Sequence, residues 1–262
     1  MIIGGQCVGH GEPVFTIADL SGNHLNSFSR AIALIFAARK AGVSAVKLQI
    51  YDPHRMAIRR GGSIDAICNE QPWVGRKFVD LYLEAYTPRE WYSDLSAFHS
   101  CMFASVFDVK DVEYLEPFNP PAYKIASREA ADIELVTAAA KTGKPLIIST
   151  GTATNDQLGL SIAAAAKHTN QIALLYCVSQ YPASLASIDF DQIGILRHKF
   201  QIPVGFSDHT LGIDAALMAV EMGACIIEKH LTLKRSDGGP DADFSLEPEE
   251  FAELVRRVKD VH

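Results

Sequence analysis

The chain has 262 residues, of which 48% are hydrophobic and 21% charged, and this composition is typical of a globular protein with a large core. The formal net charge is -7 and no long basic run occurs, which argues against a nucleic-acid-binding surface. We expect neither a signal peptide nor a membrane-spanning helix, because no apolar run approaches roughly 20 residues. The five cysteines form no CxxC pair, which predicts reduced thiols in a cytoplasmic protein.

Eight short runs of apolar and β-branched residues recur along the chain, with helical patterns between them. They are VFTIADL (14–20), AVKLQIY (45–51), MFASVF (102–107), AYKIAS (122–127), PLIIST (145–150), IALLYCV (172–178), PVGFSDH (203–209) and ACIIEKHL (224–231). Helical spacing predicts a first helix over about 27–41 and a last helix over 247–258, where Pro248 suits the first turn. Alternating strands and helices in this number predict an α/β fold, the (β/α)8 TIM barrel. No GxGxxG follows the first strand, which argues against an open dinucleotide-binding sheet.

Polar side chains occur at the carboxyl end of every predicted strand, where an apolar run would otherwise continue. They are Asp19 with the first strand, Lys47 and Gln49 with the second, Ser105 with the third, Lys124, Ser127 and Glu129 with the fourth, Ser149 with the fifth, Ser179 and Tyr181 with the sixth, Ser207 and His209 with the seventh, and His230 with the eighth. The carboxyl ends of barrel strands converge on one face, and this face carries the active site in TIM-barrel enzymes. We therefore expect a single polar site there.

Two histidines, His209 and His230, each end an apolar run at the top of neighbouring strands. A lone histidine in a strand is most often a satisfied core residue, whereas the pair favours a divalent metal with positions left open for water and substrate. Lys47 and Lys124 allow three interpretations: packed stems with paired heads, a Schiff-base lysine, or a clamp for phosphate and carboxylate groups. Their serine, threonine and glutamine neighbours favour the clamp. The basic stretch 55–77 is either a solvated loop or an anion contact.

Several motifs, taken together and in order over essentially the whole chain, resemble the sialic acid synthase family. They are IADLSGNH, VKLQIY, YKIAS, KPLIISTG, VSQYPA, PVGFSDHTLGI, IIEKHLTL and GGPDADFSLEPEEF. Enzymes of this family condense phosphoenolpyruvate with an amino sugar. The stretches SGNH, WVGRKFVDLYLEAYTPREW and DGGPDADFSLEPEEF are most similar to pseudaminic acid synthases.

The resemblance implies roles for particular residues. It implies that His209 and His230 hold manganese or magnesium over the aldehyde of the open-chain sugar. The implied phosphoenolpyruvate site consists of Lys47, Gln49, Ser105, Lys124, Ser127, Ser149 and Ser207, with Ser179 as a further substrate-binding residue. Glu129 matches the carboxylate that transfers a proton, and the sugar-contacting positions are Asp19, Tyr181 and Asp241. We expect catalysis to depend on Glu129, Asp19 and His230.

The sequence departs from the family in three places. Asp19 stands where the family has glutamate, and Ala104-Ser105-Val106-Phe107 replaces a segment that in the family contains proline. Family members usually continue into a small antifreeze-like domain that caps the partner subunit's barrel and donates an arginine to the sugar. Because the sequence ends at His262, we expect a single barrel domain over residues 1–262 without that domain. A homodimer, a separate capping protein and weak activity of the chain alone stay open.

Two further hypotheses compete with a nonulosonic acid synthase. One is a phosphoenolpyruvate-using aldol enzyme that takes a simpler sugar. The other is a non-catalytic or cap-dependent barrel that binds a phosphorylated ligand. Retention of both histidines, Lys47, Lys124 and Glu129 argues against an inactive barrel, because a decayed site commonly loses its metal ligands and charges.

Overall fold

The computed structural model describes residues 1–261, and its central feature is a closed barrel of eight parallel strands. After a short N-terminal hairpin of β1 (Ile2–Ile3) and β2 (Gln6–Cys7), the barrel strands are β3 (Phe15–Asp19), β4 (Ala45–Ile50), β5 (Met102–Val106), β6 (Tyr123–Ile125), β7 (Leu146–Ser149), β8 (Ile172–Cys177), β9 (Val204–Asp208) and β10 (Ile226–His230). Strands are neighbours in chain order, and β10 closes the barrel against β3. The predicted (β/α)8 barrel is confirmed, with each strand within two residues of its predicted ends.

Helices connect the strands and form the outer layer. They are α1 (Phe28–Ala41), α2 (Pro53–Gly61), α3 (Phe78–Ala85), α4 (Trp91–Ser96), α5 (Val109–Leu115), α6 (Ile133–Lys141), α7 (Asn155–Ala165), α8 (Asp191–Phe200), α9 (Asp214–Glu221) and α10 (Pro248–Val261). The first helix starts after Ser27, whose side chain accepts a hydrogen bond from the Arg30 amide, and ends at Gly42 with a φ of 79°. The last helix begins at Pro248, and both predicted terminal helices are therefore confirmed.

Strand alternation divides the core into two layers. In β10 the side chain of Ile226 packs inside the barrel, whereas Ile227 packs outward against the helices. The lower half of the interior is apolar, and the N-terminal hairpin closes it from below with Ile3 and Val8. The upper half of the interior therefore receives the polar residues at the strand ends.

Helices α2 and α3 and the loop between them, residues 62–77, lie beside the carboxyl ends of the strands. An antiparallel bridge between Ile67 and Lys77 closes this loop, and a small apolar cluster around Cys68 and Phe78 packs beneath it. The segment precedes α4 in the connection between the second and third barrel strands, and it forms one side of the opening. No helix among the described residues is long and apolar enough to cross a membrane.

Candidate active site

A cavity of about 220 Å³ opens at the carboxyl ends of the barrel strands. Thirteen of the fourteen residues singled out from the sequence line it: Asp19, Lys47, Gln49, Ser105, Lys124, Ser127, Ser149, Ser179, Tyr181, Ser207, His209, His230 and Asp241. Glu129 is the exception. The strand-end residues therefore converge on one site, as the barrel geometry predicts.

The base of the cavity carries two lysines held by buried carboxylates. The Lys47 ammonium lies 3.0 Å from Asp19 Oδ2 and 3.0 Å from Glu228 Oε2. Lys124 Nζ donates a hydrogen bond of 2.5 Å to Ser149 Oγ and lies 3.8 Å from Glu228 Oε1. All five side chains are buried, so a ligand that reaches them meets fixed charges with little competing water.

Burial and pairing compete in setting the pKa values of this cluster. Burial would raise the pKa of Asp19, but the Lys47 ammonium and the His230 imidazole outweigh it and hold that pKa at about 2. Burial also opposes ionisation of Glu228, yet Lys124 and Lys47 bring its pKa below the usual value. Burial lowers the pKa of Lys124, and the attraction of Glu228 offsets this only in part. Lys124 is consequently the less completely compensated lysine of the two.

Serine side chains surround the space above the lysines. Ser207 Oγ donates to Glu228 Oε1 at 2.9 Å, while the buried Ser179 Oγ has no hydrogen-bond partner among the described residues. The backbone at Gly151 approaches these hydroxyls closely, since a Cβ there would lie 2.4 Å from Ser179 Oγ and 2.9 Å from Ser127 Oγ. Glycine is thus required at this position. Ser179 Oγ is therefore available to donate a hydrogen bond to an anion, whereas the Ser207 proton is already used by Glu228.

The two histidine rings lie next to each other, with centroids 5.5 Å apart. Nδ1 of His209 is 3.2 Å from the carbonyl oxygen of Val178, which can only accept, so Nδ1 carries the proton and Nε2 is free to act as a ligand. Burial and the nearby His230 lower the pKa of His209 to about 3, which keeps the ring neutral. The buried His230 Nδ1 has no hydrogen-bond partner among the described residues.

These features fit the metal that the sequence predicts. The neutral His209 with its free Nε2, and the buried His230 Nδ1 without a hydrogen-bond partner among the described residues, are the kind of donors that a divalent transition ion prefers. Within residues 1–261 no cluster of three or more histidine, cysteine, aspartate and glutamate side chains has the spacing of a metal centre. His209 and His230 would therefore be the side-chain ligands, and water and substrate would supply the rest.

Glu129 lies just behind the cavity wall. Its side chain is buried, and Oε1 accepts a 2.7 Å hydrogen bond from Arg60, which does line the cavity. Its second oxygen, Oε2, is buried without a hydrogen-bond partner in the described part of the chain. Burial raises the pKa of Glu129, and Arg60 opposes the rise most among the arginines nearby. One carboxyl oxygen of Glu129 is therefore held by Arg60, and the other is without a partner among the described residues.

Tyr181 and Asp241 lie at the rim of the cavity. The family resemblance implies that both contact the sugar. The Tyr181 ring packs on His209 with centroids 4.5 Å apart. Asp241 Oδ2 lies 4.0 Å from His230 Nδ1, and Asp19 Oδ2 lies 3.7 Å from Nε2 of the same ring. Both carboxylates therefore flank the imidazole at the border between the base and the opening.

The site also contains residues that the sequence interpretation did not select. Glu228 contacts both lysines, and the signal for it was present, because alternate residues of a strand face the same side and Glu228 is two positions before His230. Arg60 and Trp73, both from the segment beside the opening, also line the cavity. The basic stretch 55–77 left an anion contact open for Arg60, whereas nothing in the local sequence pattern indicates that Trp73 reaches the cavity.

The fold and the cavity define a (β/α)8 barrel with two lysines and two histidines converging on one polar site at its carboxyl face. A model of the NeuB family matches residues 34–262, and the chain belongs to that family. It is 40% identical over 255 residues to the pseudaminic acid synthase of Campylobacter jejuni, covering 95% of this chain and 74% of that protein. It is 32% identical over 254 residues to the N,N'-diacetyllegionaminic acid synthase of Legionella pneumophila, covering 94% and 71% of the two chains.

A solved structure supports the same relationship. The N-acetylneuraminic acid synthetase of Leptospira borgpetersenii, crystallised in complex with citrate, superposes with a TM-score of 0.87 at 32% identity. The match covers 97% of this chain and 85% of that one. The family resemblance of the sequence motifs is thus confirmed over nearly the whole chain.

Proposed function

We propose that the protein condenses phosphoenolpyruvate with an N-acyl amino sugar to give a nonulosonic acid of the pseudaminic type. C3 of phosphoenolpyruvate forms a bond to the aldehyde carbon of the open-chain sugar, and water adds at C2. The C2–O bond then breaks, phosphate leaves and C2 becomes a keto carbon. The observation that carries the proposal is the convergence of Lys47 and Lys124 with His209 and His230 on one cavity in a chain of the NeuB family.

The base of the cavity has the chemistry to hold phosphoenolpyruvate. Lys47 and Lys124 would form charge-assisted hydrogen bonds with its phosphate and carboxylate. Ser105, Ser127 and Ser149 lie around the same space and would donate to the remaining oxygens. Because these side chains sit on barrel strands or directly after them, little ordering should accompany binding. Phosphoenolpyruvate should therefore bind without the sugar.

The acceptor sugar would lie nearer the rim. Tyr181 and Asp241 line that part of the cavity, and they and Asp19, at the border of the base, would contact its hydroxyl groups. A divalent metal held by His209 and His230 would polarise the sugar carbonyl as a Lewis acid. Glu129, whose pKa burial raises, would move a proton at C2.

The direct test is phosphate release from phosphoenolpyruvate by the purified chain. The acceptors are a 2,4-diacetamido-2,4,6-trideoxyhexose and N-acetylmannosamine, each with and without manganese. We expect release that requires both a sugar and the metal, and that is lost in Lys47→Ala. No release with any sugar, or release that persists without one, would contradict the proposed condensation.

A separate test addresses the metal. We expect His209→Ala and His230→Ala each to lose the Mn²⁺ binding that electron paramagnetic resonance detects in the unmodified chain, while both variants stay folded by circular dichroism. His198→Ala is the matched control, because His198 is exposed on α8 away from the cavity. Unchanged Mn²⁺ affinity in both cavity variants would refute this metal site.

A further inference from the structure

Arg60 and Glu129 form a buried ion pair at the edge of the cavity. The Arg60 guanidinium donates a 2.7 Å hydrogen bond to Glu129 Oε1, and the two side chains are 14% and 1% exposed. Arg60 lines the cavity, whereas Glu129 does not. The pair therefore joins a cation at the surface of the cavity to a carboxylate behind it.

The two oxygens of the Glu129 carboxylate have unlike surroundings. Oε1 is bonded to Arg60, while the buried Oε2 has no hydrogen-bond partner among the described residues. A buried oxygen without a partner is costly and therefore calls for an explanation. Oε2 is the position at which this carboxylate can take up a proton without losing its bond to Arg60.

The last turn of α2 fixes the position of Arg60. The next residue, Gly61, packs so closely on the loop 62–77 that a Cβ there would lie 2.1 Å from the Cβ of Ala66. Gly62 then ends the helix with a φ of 78°, a conformation that glycine adopts without strain. Backbone packing thus holds Arg60 in place, so the arginine can fix the carboxylate rather than follow it.

The other charged groups that face Glu129 have partners of their own. Arg59, also on α2, pairs with Asp132 before α6. Arg128, which directly precedes Glu129, pairs with Glu70 in the loop between α2 and α3. Arg60 is therefore the arginine that takes Glu129 as its ion-pair partner in the described part of the chain.

Burial and the arginines act on Glu129 in opposite directions. Burial raises the pKa of Glu129, and Arg60 opposes the rise more than Arg59 or Arg128 does. Tyr82 of α3 faces the same pair and stays neutral, because burial raises the pKa of its phenol as well. Removing Arg60 would take away the largest stabilisation of the ionised carboxylate, so the pKa of Glu129 should rise further.

We propose that Arg60 is a positioning residue for the condensation, which holds Glu129 by Oε1 and leaves Oε2 to take a proton from the water that adds at C2. This inference rests on the proposed synthase function and adds a residue to it. The water gives its oxygen to C2 and one proton to Oε2. That proton neutralises the alkoxide formed at the former aldehyde carbon, so Glu129 is ionised again after each turnover.

The remaining atoms balance without a further reactant. The bonding electrons of the C2–O bond leave with the phosphate. The new C2 hydroxyl becomes the keto group, and its proton leaves with the phosphate too. The reaction therefore needs Glu129 in its ionised form at the start, which is the form that an arginine partner favours.

The protonation of Glu129 can be followed without turnover. In the chain labelled with ¹³C at the glutamate side-chain carboxyl, Glu129→Gln identifies the Glu129 resonance by its loss. We expect a pH titration of this resonance to give a pKa at least about one unit higher in Arg60→Met than in the unmodified chain. Arg60→Lys, which keeps a cation at this position, should bring the pKa most of the way back.

A matched control tests whether the effect is specific to this pair. Arg76 lies in the loop between α2 and α3 and pairs with Glu84 on the surface. Arg76→Met should therefore leave the Glu129 titration unchanged. Arg60→Met should stay folded by circular dichroism, because Glu129 can become neutral by taking up a proton instead of remaining a buried unpaired charge.

Steady-state kinetics provide a second readout. Because Glu129 would act in its ionised form, a higher pKa moves the acid limb of the kcat profile to higher pH. For a shift of one unit, Arg60→Met should lower kcat roughly 10-fold more on the acid limb than on the plateau at higher pH. The KM for phosphoenolpyruvate should change much less. In a Glu129→Gln background, Arg60→Met should no longer change the shape of the profile.

The outcomes separate this inference from the function on which it rests. An unchanged Glu129 pKa in Arg60→Met, or an equal loss of kcat at every pH, would overturn the positioning role. A higher KM for phosphoenolpyruvate with an unchanged Glu129 pKa would also overturn it and would make Arg60 a direct substrate contact. Failure of the unmodified chain to release phosphate with any sugar would instead contradict the synthase proposal. The carboxyl titration would then still decide whether Arg60 keeps Glu129 ionised.

Discussion

Two buried lysines with carboxylate partners lie on opposite faces of the barrel wall, and strand β10 contributes to both groups. Lys229 and Asp208 meet on the outer face, with Nζ 2.6 Å from Oδ2 and both side chains fully buried. Lys47 lies on the inner face, 3.0 Å from each of Asp19 and Glu228. The residue types and the burial are alike, yet the outer pair does not line the cavity and the inner cluster does.

The two regions differ in how completely their polar atoms are satisfied. Outside the barrel, Asp208 Oδ1 accepts from both the amide and the hydroxyl of Thr210 at 2.8 Å, and Lys229 also donates to the Thr210 carbonyl. Inside, Ser179 Oγ and His230 Nδ1 have no hydrogen-bond partner among the described residues. A saturated buried network fixes structure, whereas one with open positions can accept a ligand. The outer pair also fixes the backbone next to both histidines, because its members directly precede them in sequence.

The largest effect on stability should come from removing one member of the outer pair, Lys229 and Asp208. Lys229→Ala leaves the Asp208 carboxylate buried and uncompensated, and removing one partner of a buried ion pair costs about 3–5 kcal/mol. We therefore expect the free energy of unfolding, measured by urea denaturation, to fall by that amount. Burial already lowers the pKa of Lys229, so its charge depends on this partner.

The matched control replaces both members with apolar residues. In the Lys229→Met, Asp208→Leu double variant no buried charge is left unpaired, so most of the lost stability should return. If Lys229→Ala alone leaves the denaturation midpoint unchanged, the outer pair has no structural role and the contrast between the two regions fails.

The next effect should be on ligand affinity rather than on stability. Among the described residues, Lys124 has one carboxylate within ion-pair distance, Glu228 at 3.8 Å, and Glu228 would still be paired with Lys47 if Lys124 were removed. Lys124→Ala removes a charge-assisted contact worth about 1.5–3 kcal/mol, which corresponds to a roughly 10- to 150-fold weaker affinity for phosphoenolpyruvate. Isothermal titration calorimetry without sugar measures it, and binding to the unmodified chain should weaken with added salt.

Lys144→Ala provides the control for this measurement. Lys144 precedes β7 at the opposite end of the barrel, where it pairs with Glu116. Its replacement should leave phosphoenolpyruvate affinity unchanged. Equal affinity of Lys124→Ala and Lys144→Ala for phosphoenolpyruvate would mean that Lys124 is a structural lysine.

The barrel and most of its site could be predicted from sequence because both depend on local patterns. Short β-branched runs alternate with helical spacing, and the strand ends meet at one face, where alternation along each strand decides which polar residues point into the site. Glu228 could have been found in the same way, since it shares the inward side of β10 with His230. Strand ends are thus the part of a barrel site that a single sequence reveals.

The side of the cavity that α2, α3 and the loop between them form could not be predicted. Contacts between positions far apart in the sequence place its residues at the cavity. Arg60 and Glu129 are 69 positions apart, and the hydrogen bond of Trp73 reaches 167 positions to Pro240. The basic stretch 55–77 had two open interpretations, a solvated loop or an anion contact, and the anion contact stays a prediction. Arg60 lines the cavity, whereas Arg76 pairs with Glu84 on the surface. The local periodicity of the sequence does not encode contacts between residues so far apart.

The smallest of these effects should be a dependence of the free energy of unfolding on pH, which arises from the ionisation of Asp19. Its pKa lies at about 2 in the folded chain against an ordinary value of 3.8. The ionised form is therefore favoured by folding, and its contribution is fully present above about pH 4 and is lost as the pH falls toward 2. A shift of this size corresponds to about 2 kcal/mol of unfolding free energy.

Asp19→Asn isolates that contribution, because its side chain does not titrate. The unmodified chain should be more stable than Asp19→Asn at pH 5, and the difference should shrink by about 2 kcal/mol by pH 2.5 in urea denaturation. Other carboxylates titrate in both proteins and cancel in the difference. A difference that is constant across this range would mean that Lys47 does not stabilise the Asp19 carboxylate. The inner cluster would then owe its stability to Glu228, and the cavity would have one carboxylate fewer to hold its lysines in place.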